Sequence, residues 1–171
     1  QLSEIGISNY TLTQDGNRLF TTISSNIPNV TWGDNFYLRV SGINDSSDGG
    51  GEGAMRGVLF GLFDDNFTKD INSIPYVFVR AARHSTNTSY IAMGDSSSNR
   101  IEKVTGFTVE IVKDSINVAI FLIANSTIKS YIVPVNSTAG IRLIMCLNTT
   151  RVSNSYGTSN VTFNVQEFFK F

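Results

Sequence analysis

Apolar and polar residues alternate with a period of two along almost the whole chain, and this restricts its possible folds more than any other feature. Phe36, Leu38 and Val40 alternate with Tyr37, Arg39 and Ser41. Phe107, Val109 and Ile111 alternate with Thr108 and Glu110. In the C-terminal run, Val161, Phe163, Val165, Phe169 and Phe171 are expected on one face, with Thr162, Asn164 and Gln166 on the other. Successive side chains of a strand point to opposite sides, so this pattern describes antiparallel sheets with one packed face and one wet face. No window longer than ten residues carries a 3.6-residue period.

Three further runs are apolar on both faces: 57–63 (GVLFGLF), 76–82 (YVFVRAA) and 117–124 (NVAIFLIA). They read as central strands or strands covered on both sides. Turn-forming clusters separate the runs at short spacing. Asp15-Gly16, between 10–14 and 17–22, is the strongest hairpin cue in the chain. About eleven strands at this spacing describe an all-β fold, a single antiparallel β-sandwich of jelly-roll-like or lectin-like topology. Residues 1–8 form an N-terminal arm and residues 9–171 the sandwich domain. On Gly106-Phe107-Thr108-Val109-Glu110-Ile111-Val112-Lys113-Asp114 and the apolar strand after it, the segment 36–171 resembles laminin-G and concanavalin-like sandwiches in its order of strands.

A chain of 171 residues can bury a substantial core. Net charge is −1 and the 13 basic residues are scattered, so the basic stripe needed for nucleic acid is missing. No apolar stretch reaches the roughly 18 residues of a membrane-spanning helix. Cys146 is the single cysteine, which rules out an intrachain disulfide. It lies in the apolar run 141–147, where it is expected to pack as a small hydrophobe. Charged residues make up 16% of the chain, against about 25% in an ordinary soluble domain. The surface must therefore be covered by Ser, Thr, Asn and Gly, or by sugar.

Sugar is a concrete expectation. Nine of the 17 asparagines begin an Asn-x-Ser/Thr triplet without proline: Asn9, Asn29, Asn44, Asn66, Asn87, Asn125, Asn136, Asn148 and Asn160. Random placement of the 36 Ser and Thr residues among 171 positions would give about 3.6. The triplet is an acceptor only on a secretory route and then marks exposed surface. The expected setting is extracellular or cell-surface, with N-linked glycans on several of these residues.

Catalytic chemistry is poorly supplied. His84 is the sole histidine and falls in a turn-like Arg-His-Ser-Thr sequence, and there is no G-x-S-x-G. Glu4, Glu52, Glu102, Glu110 and Glu167 are dispersed, and sequence spacing pairs none of them. The chain is therefore read as a non-enzyme without a cofactor. Two oxygen-rich loops, Asn44–Asp48 with Glu52 and Asp64-Asp65 with Asp70, are candidate Ca²⁺ sites, although neither has EF-hand spacing.

Two functional expectations follow. The first is a structural subunit that partners copies of itself in a filament, pilus or coat. Its arm would donate a β-strand through Leu2, Ile5 and Ile7 to a groove bordered by 160–171 of the next copy. Ile5 and Ile7 are out of step with Tyr10 and Leu12, so the arm breaks from the strand that follows it. The alternative is a carbohydrate- or receptor-binding lectin-like head. In that case Trp32, the only tryptophan, would stand with Asp45, Asp48 and His84 at a loop site.

Overall fold

The computed structural model describes residues 9–15, 22–44, 56–64, 77–83, 89–93, 99–149 and 158–171. Among them are twelve strands and no helix. They are β1 (Asn9–Asp15), β2 (Thr22–Thr31), β3 (Phe36–Asn44), β4 (Arg56–Asp64), β5 (Val77–Arg83) and β6 (Ser89–Met93). The rest are β7 (Arg100–Glu102), β8 (Gly106–Asp114), β9 (Asn117–Ala124), β10 (Thr127–Pro134), β11 (Gly140–Thr149) and β12 (Thr158–Lys170). Two antiparallel six-stranded sheets result, in the order β1-β12-β3-β8-β9-β10 (sheet A) and β2-β11-β4-β5-β6-β7 (sheet B). The expected antiparallel β-sandwich is what the chain forms, with one strand more than the alternation suggests. The three-residue β7 is too short to show a period.

Alternation places the core. The burial of β3, β8 and β9 switches at every residue, so Phe36, Leu38, Val40, Phe107, Val109, Ile111, Val118, Ile120 and Leu122 face inward from sheet A. Phe60, Leu62, Val77, Val79, Ile91, Met93, Ile141 and Leu143 meet them from sheet B. Aromatic rings join the two sheets. Phe163 of β12 stacks on Phe60 of β4 with centroids 4.5 Å apart and an 18° interplanar angle, and the edge of Phe107 meets Phe163 at 5.5 Å. Gly42 faces Phe107 across the β3–β8 pair, and the ring fills the space where a side chain would stand. A Cβ at Gly42 would lie 2.2 Å from Phe107 Cζ.

Residues 16–21 of the hairpin expected at Asp15-Gly16 lie outside the described residues. β1 pairs with the C-terminal β12, Tyr10 opposite Phe163, whereas β2 lies in the other sheet and pairs with β11. Two other hairpins are made locally. Asn125 and Ser126 both take positive φ (50° and 62°) between β9 and β10, the two-residue turn that matches strand twist. Between β8 and β9, Ser115 takes φ 61°, its N–H donates to Asn35 Oδ1 at 2.9 Å, and buried Lys113 donates to the Ser115 carbonyl.

Replacing Gly42 by Ala should destabilise the fold by about 1–3 kcal/mol through overpacking against Phe107. The cost should shrink when Phe107 is changed to Leu in the same chain. Urea unfolding of the two single variants and the double variant measures this coupling.

Candidate functional site

The outward face of sheet A is built in rows by its register. One row runs Phe169, Tyr37, Val112, Ala119, Ile132 across β12, β3, β8, β9 and β10. The next runs Glu167, Arg39, Glu110, Phe121, Ser130, and a third runs Asn164, Ser41, Thr108, Ile123, Ile128. Val112, Ala119, Phe121 and Ile123 are half-buried, and β9 is a central strand between β8 and β10, one of the two readings of its apolar run. Ile128 and Ile132 of edge strand β10 are exposed.

The polar centre of this face depends on an irregularity in β12. The pairing with β3 steps from Val165↔Val40 to Glu167↔Arg39, leaving Gln166 as an extra residue. Two residues then oppose one, and the alternation beyond that point reverses. Phe168 turns into the core against Phe36 (centroids 5.9 Å), while Phe169 and Phe171 face out, 43% and 62% exposed. The sequence reading that put Phe169 and Phe171 on the core face is corrected here, because a strict period of two cannot anticipate an inserted residue.

Reversal assembles a cluster. Gln166 Nε2 donates to Ser41 Oγ at 2.9 Å. Glu167 pairs with Arg39 at 3.4 Å, both side chains more than a third exposed. Tyr37 stacks on Phe169 with centroids 5.1 Å apart and a 25° angle, and Phe171 follows Phe169 at 6.4 Å. On the far side of Arg39, the Glu110 carboxylate accepts the Tyr37 phenol. Burial first, then the charge of Glu110, hold the Tyr37 pKa above the ordinary 10.0. Carboxylate, guanidinium and carboxylate thus lie in line across three strands, beside a stacked aromatic pair. Exposed ion pairs of this kind contribute only about 0–1 kcal/mol, so stability alone gives little reason for the arrangement.

β12 also presents a backbone edge. β1 pairs with Thr158–Asn164 only. Beyond Asn164, among the described residues, no strand flanks β12 on the side away from β3. The open stretch begins where β1 starts.

The residues singled out in the sequence separate. Trp32 is buried, its ring 6.2 Å from that of Phe36 and its backbone N–H donating to the Ala139 carbonyl at 2.9 Å, so it closes the core and is no sugar platform. Asp45, Asp48, Glu52, Asp65, Asp70, His84 and the arm residues Leu2, Ile5 and Ile7 lie outside the described residues. Asp64 accepts from Ser137 Oγ at 3.2 Å, and no metal-binding group of three His, Cys, Asp or Glu occurs among the described residues.

Of the nine acceptor asparagines, Asn29, Asn125 and Asn136 are exposed. Asn9, Asn148 and Asn160 lie within β1, β11 and β12, and Asn66 and Asn87 fall outside the described residues. Asn44 requires a correction. It ends β3 buried at 2% exposure, and its Nδ2 donates to the Tyr90 carbonyl of the opposite sheet at 3.3 Å. A glycan on that nitrogen would have to occupy the sandwich interior.

No family model and no curated protein matches this chain. Solved structures do resemble it. An alginate lyase from Corynebacterium sp. matches with TM-score 0.50 and 10% identity over 94% of this chain and 75% of that one. A legume lectin-like domain from Entamoeba histolytica matches with TM-score 0.43 and 10% identity over 96% and 90%. An alginate lyase from Klebsiella pneumoniae matches with TM-score 0.46 and 10% identity over 80% of this chain, which spans 60% of that enzyme. At such identities the likeness is one of fold alone, a β-sandwich.

Peptide mapping of the natively produced protein should find Asn44 unmodified, whatever the occupancy of Asn29, Asn125 and Asn136. In a second test, Glu110→Gln should lower the pH at which Tyr37 ionises, read from ultraviolet difference titration against Tyr37→Phe. The folded state holds this phenolic proton more tightly than the unfolded chain. Its contribution to stability is therefore present below pH 10 and fades as pH rises through the raised value.

Proposed function

We propose that this chain is a secreted, N-glycosylated structural subunit with no catalytic activity, which assembles with copies of itself by β-strand addition. The observation that carries the reading is that, among the described residues, no strand pairs with the β12 edge at 165–170, beside the start of β1. Unpaired N–H and C=O groups along a strand edge are a template for another strand. Six positions span about 20 Å at roughly 3.3 Å per residue, and the eight-residue arm can span about 26 Å. Exposed Phe169 and Phe171 flank that edge, and Ile5 and Ile7, two apart, would lie on one face of an incoming strand. Head-to-tail donation of this kind propagates without closing, which suits a filament. The excess of acceptor triplets and the low charge support an extracellular, sugar-coated surface.

A second reading, a carbohydrate-binding lectin-like head, is favoured by the Tyr37–Phe169 stack with its flanking acids.

Deleting residues 1–8 should leave a folded monomer, by circular dichroism and size-exclusion chromatography, that forms no fibres in electron micrographs. Adding the 1–8 peptide in excess to the full-length chain should shorten the fibres by occupying the acceptor edge. Fibres unchanged by the deletion, or a full-length protein that stays monomeric at high concentration, would overturn the proposal.

A further inference from the structure

We infer that the outward face of sheet A carries a binding site for a neutral saccharide, centred on Tyr37, Arg39, Glu110, Glu167 and Phe169. A pyranose ring has an apolar C–H face, which packs on flat aromatic surface, and a rim of hydroxyls, which need fixed donors and acceptors. This face offers both within neighbouring strand positions. Tyr37 and Phe169 form a partly exposed stacked pair, and Phe171 extends it. One strand position further along lie Arg39, a donor only, and Glu110 and Glu167, acceptors that can each take two hydroxyls. Gln166 and Ser41, already bonded to each other, add a mixed donor–acceptor pair at the border.

Charge selects the class of sugar. Two carboxylates stand against one guanidinium, so the face repels uronates and sulfated sugars and suits neutral hydroxyls, to which carboxylates make charge-assisted hydrogen bonds. The arrangement is also held in place before any ligand arrives. Arg39 is fixed by Glu167, Tyr37 by Glu110 and Phe169, and Gln166 by Ser41. Such ordering lowers the entropy lost on binding. A bulge that re-aims Glu167 and Phe169 out of the core is the kind found beside functional sites.

This inference rests on the carbohydrate-binding reading and names its class of ligand. It shares Glu167 and Phe169 with the β12 segment proposed for strand addition, whereas Tyr37, Arg39 and Glu110, on β3 and β8, take no part in that addition. The test is isothermal titration of the full-length protein with mannohexaose, cellohexaose and laminarihexaose, with an alginate hexamer as the anionic comparison. At least one neutral hexamer should bind, and alginate should not. Tyr37→Ala should abolish that binding. Glu110→Gln should weaken it about tenfold, the worth of one hydrogen bond to a charged group. Both variants should keep the parent's circular dichroism and its fibres in electron micrographs. Failure of every neutral hexamer to bind, preference for alginate, or binding unaffected by Tyr37→Ala would overturn the inference. Normal sugar binding by a protein that never forms fibres would count against strand addition alone.

Discussion

One inserted residue in the last strand organises the outward surface of this protein. Were Gln166 paired in regular register instead of bulged, strict alternation from Val165 would direct Glu167 into the core and Phe168 out of it. Burying a carboxylate there would cost several kcal/mol, and the hydrophobic contact of Phe168 with Phe36 would be lost. The bulge resolves the conflict by giving two outward positions to Gln166 and Glu167 in succession. It also delivers Phe169 to Tyr37, Glu167 to Arg39 and Gln166 to Ser41. Core packing and the exposed cluster therefore share a single backbone cause.

The same strand divides its length between two tasks. Its first half is sealed between β1 and β3 and carries Phe163, whose stack on Phe60 ties the two sheets together. Its second half is anchored to β3 on one side and, among the described residues, has no strand on the other. The buried half anchors the strand rigidly, so the open half can present hydrogen-bonding groups and aromatic rings without fraying. A surface low in charge and rich in acceptor triplets fits beside such an edge, because sugar and hydroxyls shield exposed strands without ionic repulsion.

Much of the fold was legible in the residues, for a clear reason. Period-two alternation over 36–41 and 107–111 reports which face of each strand is buried, and those faces are as expected. The site was only partly legible. Glu110 could be placed on a polar strand face, but its relation to Tyr37, Arg39 and Glu167 comes from strands 36–44, 106–114 and 158–170 being adjacent, which alternation does not encode. Trp32, flanked by turn residues and leading into a strand, could from the sequence be either a sugar platform or a lid on the core, and the packing of the two sheets makes it the lid. Asn44 carried an acceptor triplet but spans the interior to Tyr90, a contact with a residue 46 positions away.

By itself, then, the sequence determined the class of fold, the buried faces of regularly alternating strands such as β3 and β8, and the lack of a basic stripe or of an apolar stretch long enough for a membrane-spanning helix. Those properties follow from local chemistry: side-chain polarity at every second position, turn residues between runs, and composition. The tertiary structure alone decided strand order, the partner of β1, the burial of Asn44 and the outward reach of Phe169. Each depends on which distant strand supplies a neighbour, and on a single unpaired residue whose cost and benefit appear only when the two sheets are packed.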